Sequence, residues 1–217
     1  MSENPTLVTA AHFRYLAERT LQEDAFLRQL KSAAHSAGIP EIAISPEQAA
    51  FMRIVLQLCG AREVVEVGTL AGYSAIAMAR ALPPDGRVRT IELLDRHADF
   101  ASAWIARSDV AGRVQVLRGT GADILPTLAT HSADAAFLDA DKAGYRLYLE
   151  ECLRIVRPRG VVLIDNAFAF GQLFDDHPTD REVGAVREFN DYVAAHPALH
   201  SIIVPIGDGC WLCVKTE

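Results

Sequence analysis

The chain lacks the features that mark several large protein classes. No apolar run approaches the ~18 residues of a membrane span, so no transmembrane segment is expected. The Met-Ser-Glu-Asn-Pro start has no basic-then-apolar layout of a secretory signal. A basic excess is also missing. The net charge is −7 over 217 residues, which argues against a nucleic-acid partner. Cysteines number four, and only Cys210-Trp-Leu-Cys213 has CxxC spacing. No second CxxC or nearby CxxH completes a zinc site. That stretch is read as a final strand, where residues three apart point to opposite faces. The thiols are therefore expected to be structural and the chain cytoplasmic, in a reducing compartment. Repeats and low-complexity tracts are absent. What is there, 50% hydrophobic and 23% charged residues, is globular composition. A chain of this length buries about 70% of its unfolded surface and needs no staples. It reads as a single domain, 1–217, with a helical extension over 1–40.

Residues 9–36 carry Phe13, Leu16, Leu21, Phe26, Leu27 and Leu30 at the spacing of one or two amphipathic helices, broken by Gly38-Ile-Pro40. Ser45-Pro46 starts the next helix, with Ser45 as N-cap and Pro46 at the first helical position, running to about Leu58. Strands and helices then alternate. Strands are predicted at Glu63–Val67, Arg87–Ile91, Val114–Leu117, Ala135–Leu138 and Val161–Ile164. Helices are predicted at Tyr73–Leu82, from a cap at Asp95 to about Ser108, at Asp123–Ala129, over 143–156 and over 181–195. Ser201–Pro205 and Cys210–Lys215 form a hairpin around Gly207-Asp208-Gly209. This is an α/β pattern. It implies a mostly parallel seven-stranded sheet with helices on both faces and an antiparallel C-terminal hairpin. Ligands in such sheets sit beyond the carboxyl ends of the strands, at the topological switch point.

The first strand runs into Glu66-Val-Gly68-Thr-Leu-Ala-Gly72-Tyr-Ser74. Glycines let the backbone turn sharply and approach a ligand. The following helix start offers unpaired N–H groups. The spacing is G-x-x-x-G, not the G-x-G-x-x-G of a dinucleotide site. Glu66 would repel a pyrophosphate and attract an ammonium or sulfonium group. Glu92 ends the second strand 24 residues past Gly68, where a carboxylate can accept from both ribose hydroxyls. Gly121-Ala122-Asp123 follows the third strand and is placed to border an adenine ring.

The fourth strand opens into Asp139-Ala-Asp141-Lys142 and the fifth into Asp165-Asn166. In a parallel sheet both emerge at one edge. Asp139, Asp165 and Asn166 would converge as hard oxygen donors suited to Mg²⁺, and also to Mn²⁺ or Ca²⁺, rather than zinc. Lys142, partly buried near a dication, should have a lowered pKa and could take a proton from a hydroxyl. The plain alternative is that these Asp and Asn residues only cap loops. Two clusters at adjacent strand ends beside a nucleotide loop favour the functional reading.

Val64-Val-Glu-Val-Gly-Thr-Leu-Ala-Gly-Tyr-Ser-Ala75 resembles the first motif of the cation-dependent class I O-methyltransferases. That family includes catechol and caffeoyl-CoA O-methyltransferases and bacterial relatives. Phe137-Leu-Asp-Ala-Asp-Lys142-Ala-Gly-Tyr145, Asp165-Asn166, Val204-Pro-Ile-Gly-Asp-Gly209 and Ser45-Pro-Glu-Gln48 are similar to it too. The resemblance covers roughly residues 40–217. It implies a Rossmann-like methyltransferase fold and an S-adenosylmethionine cofactor. Around that cofactor it places Glu66, Gly68, Ser74 and Glu92, with Asp139 by its methionine part. It implies metal ligation by Asp139, Asp165 and Asn166, with Lys142 as base. The expected acceptor is a small catechol-like aromatic hydroxyl compound, and the expected assembly a homodimer. The chain departs from the pattern in three places. Phe168 or Phe170 replaces the family's aromatic, commonly Trp, after the Asp-Asn pair. Arg159-Gly160 replaces a Gly-Gly. The segment from Gln172 to Arg181 is short and acidic.

The expected reaction is an in-line displacement in which an acceptor oxyanion attacks the sulfonium methyl, so positioning supplies most of the catalysis. Two rival readings are a nicotinamide-dependent oxidoreductase and a catalytically silent cofactor-binding protein. The departure from G-x-G-x-x-G and the acidic Glu66 stand against the first, and the intact Lys142 with its oxygen donors against the second.

Overall fold

A computed structural model describes residues 8–20 and 22–217. Leu21 lies outside the described residues. Helices α1 (Ala10–Arg19), α2 (Ala25–Ser36) and α3 (Pro46–Leu58) precede the alternating part. That part runs β1 (Glu63–Val67), α4 (Tyr73–Ala81), β2 (Arg87–Glu92), α5 (Asp95–Ile105), β3 (Val114–Arg118), α6 (Gly121–Ile124), β4 (Ala133–Leu138), α7 (Tyr145–Ile155) and β5 (Val156–Ile164). Then come α8 (Val183–Ala194), β6 (Leu199–Val204) and β7 (Cys210–Lys215). The sheet has seven strands in the order β3-β2-β1-β4-β5-β7-β6. β1 to β5 are parallel, and β7 pairs antiparallel with both β5 and β6. Chain order reverses between β1 and β4, so the switch point lies after Val67 and Leu138.

Strand alternation sorts the core into two layers. Val64, Val88, Ala135, Phe137 and Leu163 face a layer built on α2 to α5. Val65, Val67, Leu138, Val162 and Ile164 face α7 and α8. Cys210 belongs to the first layer and Cys213 to the second, as expected of strand residues three apart. All four cysteines are free thiols. Among the described residues no helix is long and apolar enough to cross a membrane.

Local chemistry explains most boundaries. Ser45 Oγ accepts from Gln48 N, and Pro46 begins α3. The 9–36 pattern is two helices, within the one or two expected, although α1 buries no residue: Phe13 and Leu16 are 37% and 43% exposed. Several other expectations need correction. Asp95 does not cap α5. Leu94 is the N-cap, and Asp95 pairs with Arg118 at 3.1 Å. The expected Asp123–Ala129 helix starts at Gly121 because Thr120 caps it by accepting from Asp123 N, and Leu125–Thr127 tighten into a 3₁₀ turn. Asp141 caps a 3₁₀ turn, Lys142–Gly144, ahead of α7. β5 begins five residues early, at Val156, because Val156 pairs with Ala133 before a register shift. At that irregularity Arg159 takes φ +60°, a left-handed conformation that suits the glycine usual in the family.

Candidate active site

The loop after β1 owes its shape to glycine. Gly68 has φ +102°, and a Cβ there would overlap the Asp139 carbonyl oxygen. The ends of β1 and β4 can therefore touch only without a side chain. Leu70, next in the loop, is held at φ +48°, which costs a non-glycine residue about 1 kcal/mol or more. Glu92 supplies the restraint: Oε2 accepts from Leu70 N at 2.8 Å and Oε1 from Leu94 N at 2.9 Å. His97 Nδ1 lies 3.5 Å from Oε1. A carboxylate has about four acceptor positions, so Glu92 keeps capacity for ligand hydroxyls.

A cavity of about 410 Å³ opens over this loop. Gly68, Ser74, Glu92, Gly121 and Asp139 all line it. Tyr148 closes one side, and a Cβ at Gly121 would strike its ring. Two expected residues are not in the wall. Ala122 is exposed, because one step along a helix turns a side chain by about 100° away from its neighbour. Glu66 is fully buried behind the loop, since alternation turns it to the face of Val64, under α4. Neither of its carboxylate oxygens has a hydrogen-bond partner among the described residues. Burial pushes its carboxyl up to about 8, and the Ser74 and Thr90 side chains offset this only in part.

A second cavity, about 670 Å³, adjoins the first. The two share Ile42–Ile44 and Asp139–Asp141. Lys142, Asp165 and Asn166 line only the second. Parallel β4 and β5 bring these residues together, as their sequence positions imply. Lys142 is 6% exposed. Its Nζ donates to Tyr145 Oη at 2.6 Å and Asn166 Oδ1 at 2.5 Å, and lies 3.7 Å from Asp139 Oδ1. Asp165 Oδ1 accepts from Gln48 Nε2 at 2.8 Å. Burial raises the carboxyls of both Asp139 and Asp165, with Asp139 repelling Asp165, while Lys142 opposes the rise at Asp139 and the Gln48 bond opposes it at Asp165. Asn166 has φ +64°, Ala169 +53° and Phe170 +59°. Asp208 holds this strained turn by accepting from Phe170 N at 2.8 Å, Gly171 N at 3.2 Å and Asn166 Nδ2 at 3.2 Å. Phe170 lines the cavity, whereas Phe168 packs against Gly209.

Sequence reasoning assigned no role to Gln48, Tyr145, His97 or Tyr148. Gln48 was visible as the third residue of a helix start and the last of a stretch resembling the family, with no task attached. Its contact with Asp165 spans 117 positions, which no local pattern announces.

Residues 17–216 match the family model described as O-methyltransferase. This chain belongs to the O-methyltransferase family. A protein named catechol O-methyltransferase from Niastella koreensis is 40% identical to it over 186 residues, 84% of each chain. One of the same name from Mycobacterium tuberculosis is 34% identical, covering 88% of this chain and 86% of that one. Among solved structures, a Bacillus cereus O-methyltransferase in complex with SAH superposes with a TM-score of 0.85 at 32% identity, covering 95% and 97% of the two chains. The O-methyltransferase of tomaymycin synthesis from Streptomyces achromogenes, in complex with SAM, gives 0.83 at 33% identity, covering 95% and 96%. For this O-methyltransferase the Rossmann-like fold is thus shown, and the oxidoreductase reading is not favoured.

Proposed function

We propose that this O-methyltransferase moves a methyl group from S-adenosylmethionine to one hydroxyl of a small catechol-like acceptor, aided by a divalent cation. The observation that carries the reading is the meeting of two cavities at Asp139–Asp141, with buried Lys142 on the acceptor side. The SAH and SAM held by the Bacillus and Streptomyces structures support the cofactor. The names of the Niastella and Mycobacterium relatives support the acceptor class.

The residues present fit both groups. The first cavity has Glu92 for hydroxyl donors, Ser74 and Asp139 for an amino-acid end, and a glycine floor. Among the described residues no cluster of three or more His, Cys, Asp or Glu side chains forms a metal site. The candidate set is instead two carboxylates and an amide: Asp139, Asp165 and Asn166. Both carboxyls are raised by burial, which Lys142 offsets only in part, a condition that a cation relieves. When bound, the cofactor supplies a sulfonium methyl, and a hard cation such as Mg²⁺ supplies charge that makes a chelating diol more acidic.

The chain's own residues do the rest. Asp139 borders both cavities and sets where acceptor and cofactor meet. Tyr145 and Asn166 aim Lys142 Nζ, which takes the acceptor proton. Asn166, which accepts from Lys142 Nζ, would also be one of the residues to hold the cation. Ile42 and Ile44 on one wall and Phe170 on another exclude water from an aromatic ring. A diphenol assay with labelled cofactor and Mg²⁺ tests this. Excess EDTA and Asp165→Ala should each abolish turnover while SAH binding persists. Full activity in EDTA sinks the metal role. We also propose a cytoplasmic homodimer that covers the apolar outer face of α1, to be checked by sedimentation.

A further inference from the structure

Helices cover the sheet unevenly. Register places Glu63 opposite Arg87, Val65 opposite Arg89, and Arg89 opposite Gln115. Residues paired in this way on adjacent strands share one face of the sheet. Over β4 and β5 that face lies beneath α7 and α8. Between β3 and β4 the crossover is only α6, four residues long, and the 3₁₀ turn Leu125–Thr127. The amino ends of β2 and β3 stay open on that face, and a cavity of about 450 Å³ lies there. Glu63, Arg87, Arg89, Arg113, Gln115 and Ser132 line it. It stands at the opposite end of the strands from the two cavities described above.

The chain has a net charge of −7, yet this cavity holds three arginines against one acid. Other arginines at this end of the sheet are matched. Arg62 pairs with Asp85, Arg157 with Asp134 at 2.7 Å and Arg154 with Glu151 at 2.6 Å. Among the described residues Arg87, Arg89 and Arg113 form no ion pair, even with Glu63 beside them. Arg113 donates to Pro83 O at 3.1 Å. Arg89 is half-buried and donates to Ser132 O at 2.7 Å and Ser132 Oγ at 3.4 Å. Its Nε–H is buried and has no acceptor among the described residues. An exposed arginine such as Arg87 is ordinary by itself. A guanidinium N–H that has lost water without gaining an acceptor is not, because buried donors are as a rule paired.

We propose that this cavity binds the phosphate group of a small anion, with Arg87 and Arg89 as the charged partners and Gln115 and Ser132 as the neutral ones. A guanidinium fork matches the oxygens of a phosphate and gives two parallel charge-assisted bonds. The volume leaves room for a phosphate ester as well as the free ion. Methyl transfer belongs to the carboxyl ends of the strands, so this site should fill independently of the cofactor.

The test is calorimetric titration of the full chain, at ionic strength held constant with chloride, using inorganic phosphate and then glycerol phosphate. The native chain should show one saturable site with a Kd of about 1 mM for the better of the two. Arg87→Gln sits at an exposed position, where folding is not at stake, and should raise that Kd by about three- to fivefold. Arg89→Gln should raise it by about tenfold or more. Arg14→Gln makes the same charge change outside the cavity and should leave it as it was. Melting temperature and SAH affinity certify each variant, and saturating SAH should not alter phosphate binding. Tighter binding of the ester identifies a phosphorylated small molecule as the ligand, and equal affinities identify free phosphate. A Kd above about 50 mM means an adventitious ion only and overturns the proposal. So does an unchanged Kd in both cavity variants, or competition between phosphate and SAH, which would put the anion over the loop after β1.

Discussion

Glu66 offers a sharp test because its two carboxylate oxygens are buried without partners among the described residues. Its carboxyl rises from 4.5 to about 8 in the fold, first because burial penalises the charged form. The sign follows from proton counts. Between these two values the native state holds a proton that the unfolded chain has released. Stability therefore falls as pH rises through that window. Each pH unit from 4.5 to 7 removes about 1.4 kcal/mol, or roughly 3 kcal/mol in all. Glu66→Gln keeps the shape and the neutral character but cannot ionise in the unfolded state. Without cofactor, the variant should gain up to about 3 kcal/mol over the native chain at pH 7, a rise in Tm of about 6–12 °C for a domain of this size. Near pH 4 the two should melt together. The assay is thermal and urea unfolding of both proteins from pH 4 to 8.5. Parallel pH profiles, or a variant no more stable than the native chain at pH 7, would refute the argument.

Three further outcomes follow from named contacts. Gly68→Ala drives a methyl into the Asp139 carbonyl at φ +102° and should cost about 3 kcal/mol or more, read by urea unfolding and by loss of SAH binding. Asp134 accepts from Arg62 N, Glu63 N and Arg157 Nε at 2.7–2.9 Å. Partial burial would raise its carboxyl, but the Glu63 bond and then Arg157 and Arg62 hold it below 3.8. Its contribution is therefore present above that value and lost as pH falls through the lowered one. Asp134→Ala should cost about 2–3 kcal/mol near neutral pH, with the gap to the native chain closing in strong acid. Lys142→Met should cut kcat by about 10²- to 10⁴-fold, the usual worth of a general base. SAH affinity by calorimetry should change little, since Lys142 does not line the cofactor cavity. Equal losses in both would make Lys142 a structural residue.

Much of this molecule was legible in short windows of sequence. Alternation of apolar strands with helices announced the parallel sheet, and the terminal glycine hairpin its antiparallel edge. Glycine spacing announced the sharp loop after β1. Acidic pairs just after β4 and β5 were bound to meet, because parallel neighbours end on one edge. Other features depended on distant parts of the chain. The α1 pattern looked amphipathic, yet apolar spacing says nothing about how well a partner surface covers it, and among the described residues Phe13 and Leu16 stay exposed and no α1 residue is buried. Glu66 sits in the right motif, but strand parity turned it beneath the loop rather than into the cavity.

What the sequence determined by itself is therefore the fold class, the loop after β1 and the residues Asp139, Lys142, Asp165 and Asn166. Each follows from local periodicity, backbone freedom or the common edge of a parallel sheet. Only the tertiary structure decided that Gln48 would hold Asp165 and that Asp208 would hold the Asn166 turn. It also brought Glu182 to the lining of the second cavity, a carboxylate without a partner among the described residues. Those arrangements join segments 42 to 117 residues apart or rest on which side of a cavity a helix start happens to face. Local chemistry cannot specify either, because they exist only once the layers have packed.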